Sequence, residues 1–122
     1  MKSMIAIFEI PAKDINRAVH FYETLLGISI EVMDFQGMKM GVFPSEDQLS
    51  FGTIVEGEGN EPSVNGVTIY LNMEKDIEGL LSLVGDLGGT VLVEKSPHAD
   101  ESGYYGLFID SEGNKIGLNN FK

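Results

Sequence analysis

The sequence predicts an α+β fold made of two βαβββ modules in one chain. Three observations carry this. Two segments, DINRAVHFYETLLG (14–27) and DIEGLLSLVGDLGG (76–89), open alike and place apolar residues at the same spacing. Each follows one strand candidate and precedes three more. Between the halves, EGEGNEPSVNG (56–66) is rich in Gly, Asn, Glu and Pro and reads as a linker. The organisation is one domain over 1–122: a first module over about 1–56, a linker over 57–65 and a second module over 66–122.

The first strand is MIAIFEIP (4–11), where Met4, Ala6, Phe8 and Ile10 oppose Ile5, Ile7 and Glu9. The helix after it carries Ile15, Ala18, Val19, Tyr22, Leu25 and Leu26 on one stripe, the i, i+3, i+4, i+7 pattern of an amphipathic helix. Asp14 stands where an N-cap accepts free backbone N–H groups, and Gly27 where a left-handed C-terminal cap belongs. Three strands follow, ISIEVMD, MKMGVF and LSFGTIV, separated by turns at FQG and PSED.

The second module repeats the plan. Its first strand, GVTIYLNM (66–73), alternates cleanly: Val67, Ile69, Leu71 and Met73 oppose Thr68, Tyr70 and Asn72. The second helix carries Ile77, Leu80, Leu81, Val84 and Leu87, with Asp76 as its N-cap and Gly88 or Gly89 as its C-cap, so it should match the first helix in length. Strands TVLVEK, YYGLFI and NKIGLN complete the module, with turns at SPHADESG and DSEG.

Composition narrows the function classes. Nineteen acidic residues against eight basic give a formal charge of −11, which repels nucleic acid and anionic membranes and tolerates cationic ligands. The apolar runs are too short to cross a bilayer. The N-terminal stretch has no small-residue cleavage site and is interrupted by Glu9, so a cytoplasmic location is expected. With no cysteine there is no disulfide, thiolate metal site or thiol nucleophile. The chain contains no phosphate-binding glycine loop and no Ser–His–Asp spacing of a nucleophilic triad.

The stretches FEIPAKDINRAVHFYETLLG, YLNMEKDIEGLLSLVGDLGGTVLVEK and GYYGLFIDSEGNKIGL span nearly the whole chain. In them the sequence resembles the vicinal oxygen chelate superfamily, which includes glyoxalase I, bleomycin-resistance proteins, fosfomycin-resistance enzymes and extradiol dioxygenases. The resemblance implies paired modules whose curved sheets enclose a small-molecule cavity, and a homodimer. It also implies, for the metal-using members, a divalent ion held by His and Glu (or Gln) from strands of both modules. At the matching positions this chain has Ile7, Thr68 and Gly117, with Glu56 as the one candidate for the remaining position. Isoleucine and glycine have no donor side chain and threonine is a poor neutral ligand, so no metal and no cofactor is expected. Gly117 either leaves open the space a carboxylate would fill or relieves crowding in a twisted strand.

The expected function is therefore small-molecule binding by a glyoxalase-like protein without the usual metal centre. Its ligand-binding residues are Glu9, Tyr70, Asn72, Tyr105 and Asn119, where hydroxyl and amide groups converge to orient a ligand. The alternative is a lyase, isomerase or dioxygenase with an unconventional metal site or with Glu9 as general base. A carboxylate in a partly apolar pocket holds its proton more tightly, which suits proton transfer. Met38, Met40 and Phe43 are read as core filling. His20 is read as a solvated helix residue. His98 is read as a loop residue, with base chemistry near neutral pH as its other role.

Overall fold

In a computed structural model, residues 4–46 and 51–122 are described. They fall into two compact units, Met1–Pro62 and Ser63–Lys122, so the division lies inside the expected linker.

In the first unit, β1 (Ile7–Pro11) leads into α1 (Ile15–Leu26), then β2 (Glu31–Phe35), β3 (Met38–Val42) and β4 (Phe51–Glu56). The sheet order is β1-β4-β3-β2, with β1 parallel to β4 and the other pairs antiparallel. The parallel pairing requires a crossover, which α1 supplies. The second unit repeats this order with β5 (Ile69–Asn72), α2 (Ile77–Val84), β6 (Thr90–Pro97), β7 (Gly103–Ile109) and β8 (Lys115–Phe121), arranged β5-β8-β7-β6. The repeat read in the sequence is thus a repeat of topology. Strand ends differ from expectation by one to three residues. Leu49 and Ser50, placed in the fourth strand, and Asp47 of the PSED turn lie outside the described residues.

Each helix buries most of the stripe that its spacing marks, Leu26 and Leu87 being only half-buried. In α1, Ile15, Ala18, Val19, Phe21, Tyr22 and Leu25 are buried; in α2, Ile77, Leu80, Leu81 and Val84. His20 is exposed. Phe43 joins the first core, its ring 5.7 Å from Tyr22 and 6.1 Å from Phe8. Asp14 and Asp76 both cap, accepting from the Arg17 and Glu78 N–H groups. Gly27 ends α1 in the left-handed region at φ 68°, its N–H donating to the Glu23 carbonyl.

The expectation of equal helices fails, because α1 has twelve residues and α2 has eight. The regular helix stops at Val84, before Gly85, a residue of low helix propensity. A turn then runs to Gly88, which takes the positive φ of 96°, and the Gly89 N–H closes back on the Val84 carbonyl.

A second correction concerns Glu56. Its Oε1 accepts the Ile15 N–H at 2.7 Å, so this carboxylate finishes the start of α1 from 41 residues away. The second unit has the same device. Asn120 Oδ1 accepts the Ile77 N–H at 2.9 Å, while its Nδ2 donates to the Met73 and Lys75 carbonyls. Glu56 is thereby committed to a helix end, on the α1 side of its sheet, and is not free to serve as the fourth metal ligand.

Candidate functional site

Strand pairing decides which side chains share a face. In the second unit Tyr70 lies opposite Gly117, and Asn72 opposite Asn119. Across the next pair, Asn119 meets Tyr105 and Gly117 meets Leu107; beyond that, Tyr105 meets Ser96. Residues directly opposite each other point to the same side. Ile69, Leu71, Ile116, Leu118 and Phe108 alternate with them and face α2. One face of this sheet is therefore the apolar floor for the helix. The other carries Tyr70, Asn72, Tyr105 and Asn119 together.

These side chains are linked. Asn119, only 7% exposed, donates from Nδ2 to Asn72 Oδ1 at 2.9 Å. Its Oδ1 meets His98 Nε2 at 2.5 Å. The His98 ring stacks on Tyr105, centroids 5.0 Å apart and planes within 28°, and Tyr105 meets Tyr70 edge-on at 6.2 Å. His98 lies in the loop, as the sequence predicts, just past the end of β6, but it is half-buried: its N–H donates to the Gly103 carbonyl and its own carbonyl accepts from Glu101 in a turn. The SPHADESG turn shrinks to its middle, and His98 takes the same side as Ser96 and Tyr105. A tight hairpin count back from Tyr105 is the signal that would have found it.

Gly117 also receives its explanation here. A Cβ built on it would lie 2.6 Å from Tyr70 Cε2 and 2.8 Å from Tyr70 Cγ. The space above Gly117 is not open; the Tyr70 ring fills it. The glycine relieves crowding, the second of the two expected roles. Tyr70 remains 46% exposed, so part of its ring faces solvent beside Tyr105.

The hairpin that carries His98 and Tyr105 is acidic. Residues 96–114 contain no Lys or Arg. Lys95 is turned to the helix side, 3.0 Å from Asp76 and 4.6 Å above the Tyr104 ring. Lys115 stands four residues from Asn119 along β8, about 13 Å away by strand rise. Next to His98, Asp100 is held below the ordinary carboxylate range by the Ser102 hydroxyl, then the Ser102 N–H, with His98 adding a smaller effect. The carboxylate stays ionised beside the imidazole.

Glu9 sits in the first unit. It shares a face of β1 with Ile7, as its spacing requires, and lies opposite Thr53 on β4. Both Ile7 and Glu9 are exposed, so the apolar enclosure expected around the carboxylate is not built by its own module. The pairing also locates the position that sequence could not align. Ala12 N–H donates to Val55 O as Met73 N–H donates to Asn119 O, so Val55 corresponds to Asn119 and Thr53 to Gly117. Thr53 is buried and its hydroxyl turns to the Phe8 carbonyl at 3.4 Å. At the positions the superfamily resemblance points to, the first module has Ile7 and Thr53 and the second Thr68 and Gly117: two neutral hydroxyls and no charged or imidazole donor, side chains that do not suit a divalent ion. Among the described residues, no three His, Asp or Glu side chains gather in a metal-binding group.

A family model of the Glyoxalase/Bleomycin resistance protein/Dioxygenase superfamily matches residues 4–118. The chain belongs to this superfamily. A glyoxylase-like domain-containing protein from Didymella fabae is 29% identical over 125 residues, covering 93% of this chain and 91% of its own. Among solved structures, a glyoxalase/bleomycin resistance protein from Albidiferax ferrireducens superimposes with a TM-score of 0.71 at 18% identity, covering 98% of this chain and 100% of that one. A fosfomycin resistance protein from Listeria monocytogenes gives 0.69 at 16%, covering 100% and 96%. A glyoxalase I variant from Zea mays gives 0.70 at 19%, and there the chain covers 94% of itself but only 46% of the relative, about half its length. At these identities the superfamily's structures share the fold, and the fold alone does not specify chemistry. No helix among the described residues is long and apolar enough to cross a membrane.

A surface cleft of about 550 Å³ opens on the helix side of the second unit, between Met73, Glu74, Asp76, Lys95, Tyr104, Asn120 and Phe121. Several of its polar groups are already engaged: Asn120 on three backbone groups, and Lys95 on Asp76. The opposite face is the better candidate, because Asn72 and Tyr70 are exposed and still have groups to offer.

Proposed function

We propose that this protein binds a small molecule without a metal centre, on the polar face of the second module's sheet. The observation that supports this most is the linked group of His98, Asn119, Asn72, Tyr105 and Tyr70. Amides and an imidazole held in place by one another orient a ligand at low entropic cost, and two aromatic rings supply contact area.

Glyoxalase-like relatives supply the prior for a small-molecule ligand. A homodimer belongs to the same proposal. The first module leaves Ile7, Met33 and Phe35 exposed, apolar area that a second copy would cover, and the mass in solution reads this directly.

The test is a thermal-shift screen of small molecules, since a ligand raises apparent stability by mass action. Hits should shift the wild type and bind Tyr105→Ala about tenfold more weakly, the loss of one aromatic contact. Hits unaffected by Tyr105→Ala and Asn119→Ala would place binding elsewhere.

A second reading keeps Glu9 as general base in an enzyme. It is supported by the position of Glu9 beside Ile7 on the open face of β1, away from α1. Glu9→Gln should then abolish turnover of an identified substrate. Unchanged turnover removes Glu9 from that role.

A further inference from the structure

Resting on the reading of this face as a binding site, we infer the ligand's class: a planar molecule carrying a hydrogen-bond donor, delivered to His98 Nδ1, and not an anion. The inference starts from Asn119. Its Nδ2 donates to Asn72 Oδ1, so the amide is oriented and its Oδ1 faces His98. An amide oxygen only accepts, so His98 Nε2 carries the hydrogen and donates it. In the neutral imidazole the other nitrogen is then a lone-pair acceptor.

The ring cannot easily turn to exchange the two nitrogens. It stacks on Tyr105, and turning it over would break that stack and the bond to Asn119 Oδ1. While the imidazole is neutral, Nδ1 is thus the acceptor that the site offers, and a ligand that meets it must bring an N–H or O–H. Tyr105 and the exposed part of Tyr70 lie alongside and favour a flat partner. An anion meets the ionised Asp100 next to His98, and Lys95, the one cation on β6, is turned to the helix side.

The test uses full-length protein labelled with ¹⁵N in histidine, and three probes of similar size. Indole is flat and donates, benzofuran is its shape without the donor, and benzoate is flat and anionic. Imidazole spectra should show the hydrogen on Nε2 of His98. Indole should shift the His98 and Tyr105 signals saturably, benzofuran at least about fivefold more weakly, the loss of one hydrogen bond, and benzoate not at all. Asn119→Asp places a carboxylate against Nε2 and favours the imidazolium, in which both nitrogens donate. That variant should lose its preference for indole and gain benzoate. If it does not fold, the comparison of indole with benzofuran in the wild type decides alone. A hydrogen on Nδ1, or benzofuran or benzoate binding as tightly as indole at this face, overturns the inference and leaves the binding site standing. If none of the three probes moves these signals, both are lost.

Discussion

Tyr22→Ala should destabilise the protein by about 3–5 kcal/mol, the cost typical of truncating a fully buried aromatic side chain. Tyr22 is fully buried at the centre of the first module. Its ring meets Phe21 edge-on at 5.0 Å and Phe43 at 5.7 Å, and Phe43 in turn meets Phe8. Alanine leaves a void that α1 cannot close, because Asp14, Glu56 and Gly27 fix both of its ends. Urea unfolding measures the loss directly. A change under about 1 kcal/mol would mean that the module repacks around the gap, contrary to the close packing described.

Gly117→Ala should leave the fold nearly intact and weaken ligand binding by tenfold or more, about 1.4 kcal/mol or greater. The new methyl group would collide with the Tyr70 ring. That ring is half-exposed and can swing outward, so the strand need not move. Swinging outward takes it from Tyr105 and from the face it helps to form. Unfolding by urea and binding of a screened ligand should therefore separate in this variant. Equal loss of both would show that Gly117 serves the sheet alone.

Local chemistry was legible in the sequence and long-range chemistry was not. The two helices, their buried stripes and the Asp14, Asp76 and Gly27 caps rest on neighbours within one or two turns, and all were readable. The repeat itself revealed the paired sheets. By contrast, the engagement of Glu56 with α1 depends on two segments 41 residues apart, and a carboxylate near a strand end looked like a free ligand. The length of α2 was not legible because apolar spacing continues to Leu87 through a turn that lies beyond the regular helix. The role of Gly117 hinged on parallel pairing with Tyr70, which no local pattern encodes. Tyr70, Asn72 and Asn119 were placed on one side from strand alternation alone, and the structure brings them together. His98 does lie in the loop after β6, but its contacts with Asn119 and Tyr105 join residues that no local pattern brings together.

The same contrast underlies the proposal that the site lies in the second module. Asn119 and Val55 hold matching places in the repeat, yet one is an amide bonded to two neighbours and the other is a buried apolar residue. The two halves share a scaffold and differ in what their open faces carry. The second has gathered amides, phenols and an imidazole, whereas the first presents Ile7 and Glu9.

The most direct measurement is a backbone and side-chain NMR map of a ligand found by the thermal-shift screen. The account predicts that the largest shifts fall on Tyr70, Asn72, His98, Tyr105 and Asn119, with no divalent ion needed and no loss of binding in chelator. Shifts confined to other residues, or binding that vanishes in chelator and returns with added metal, would contradict it.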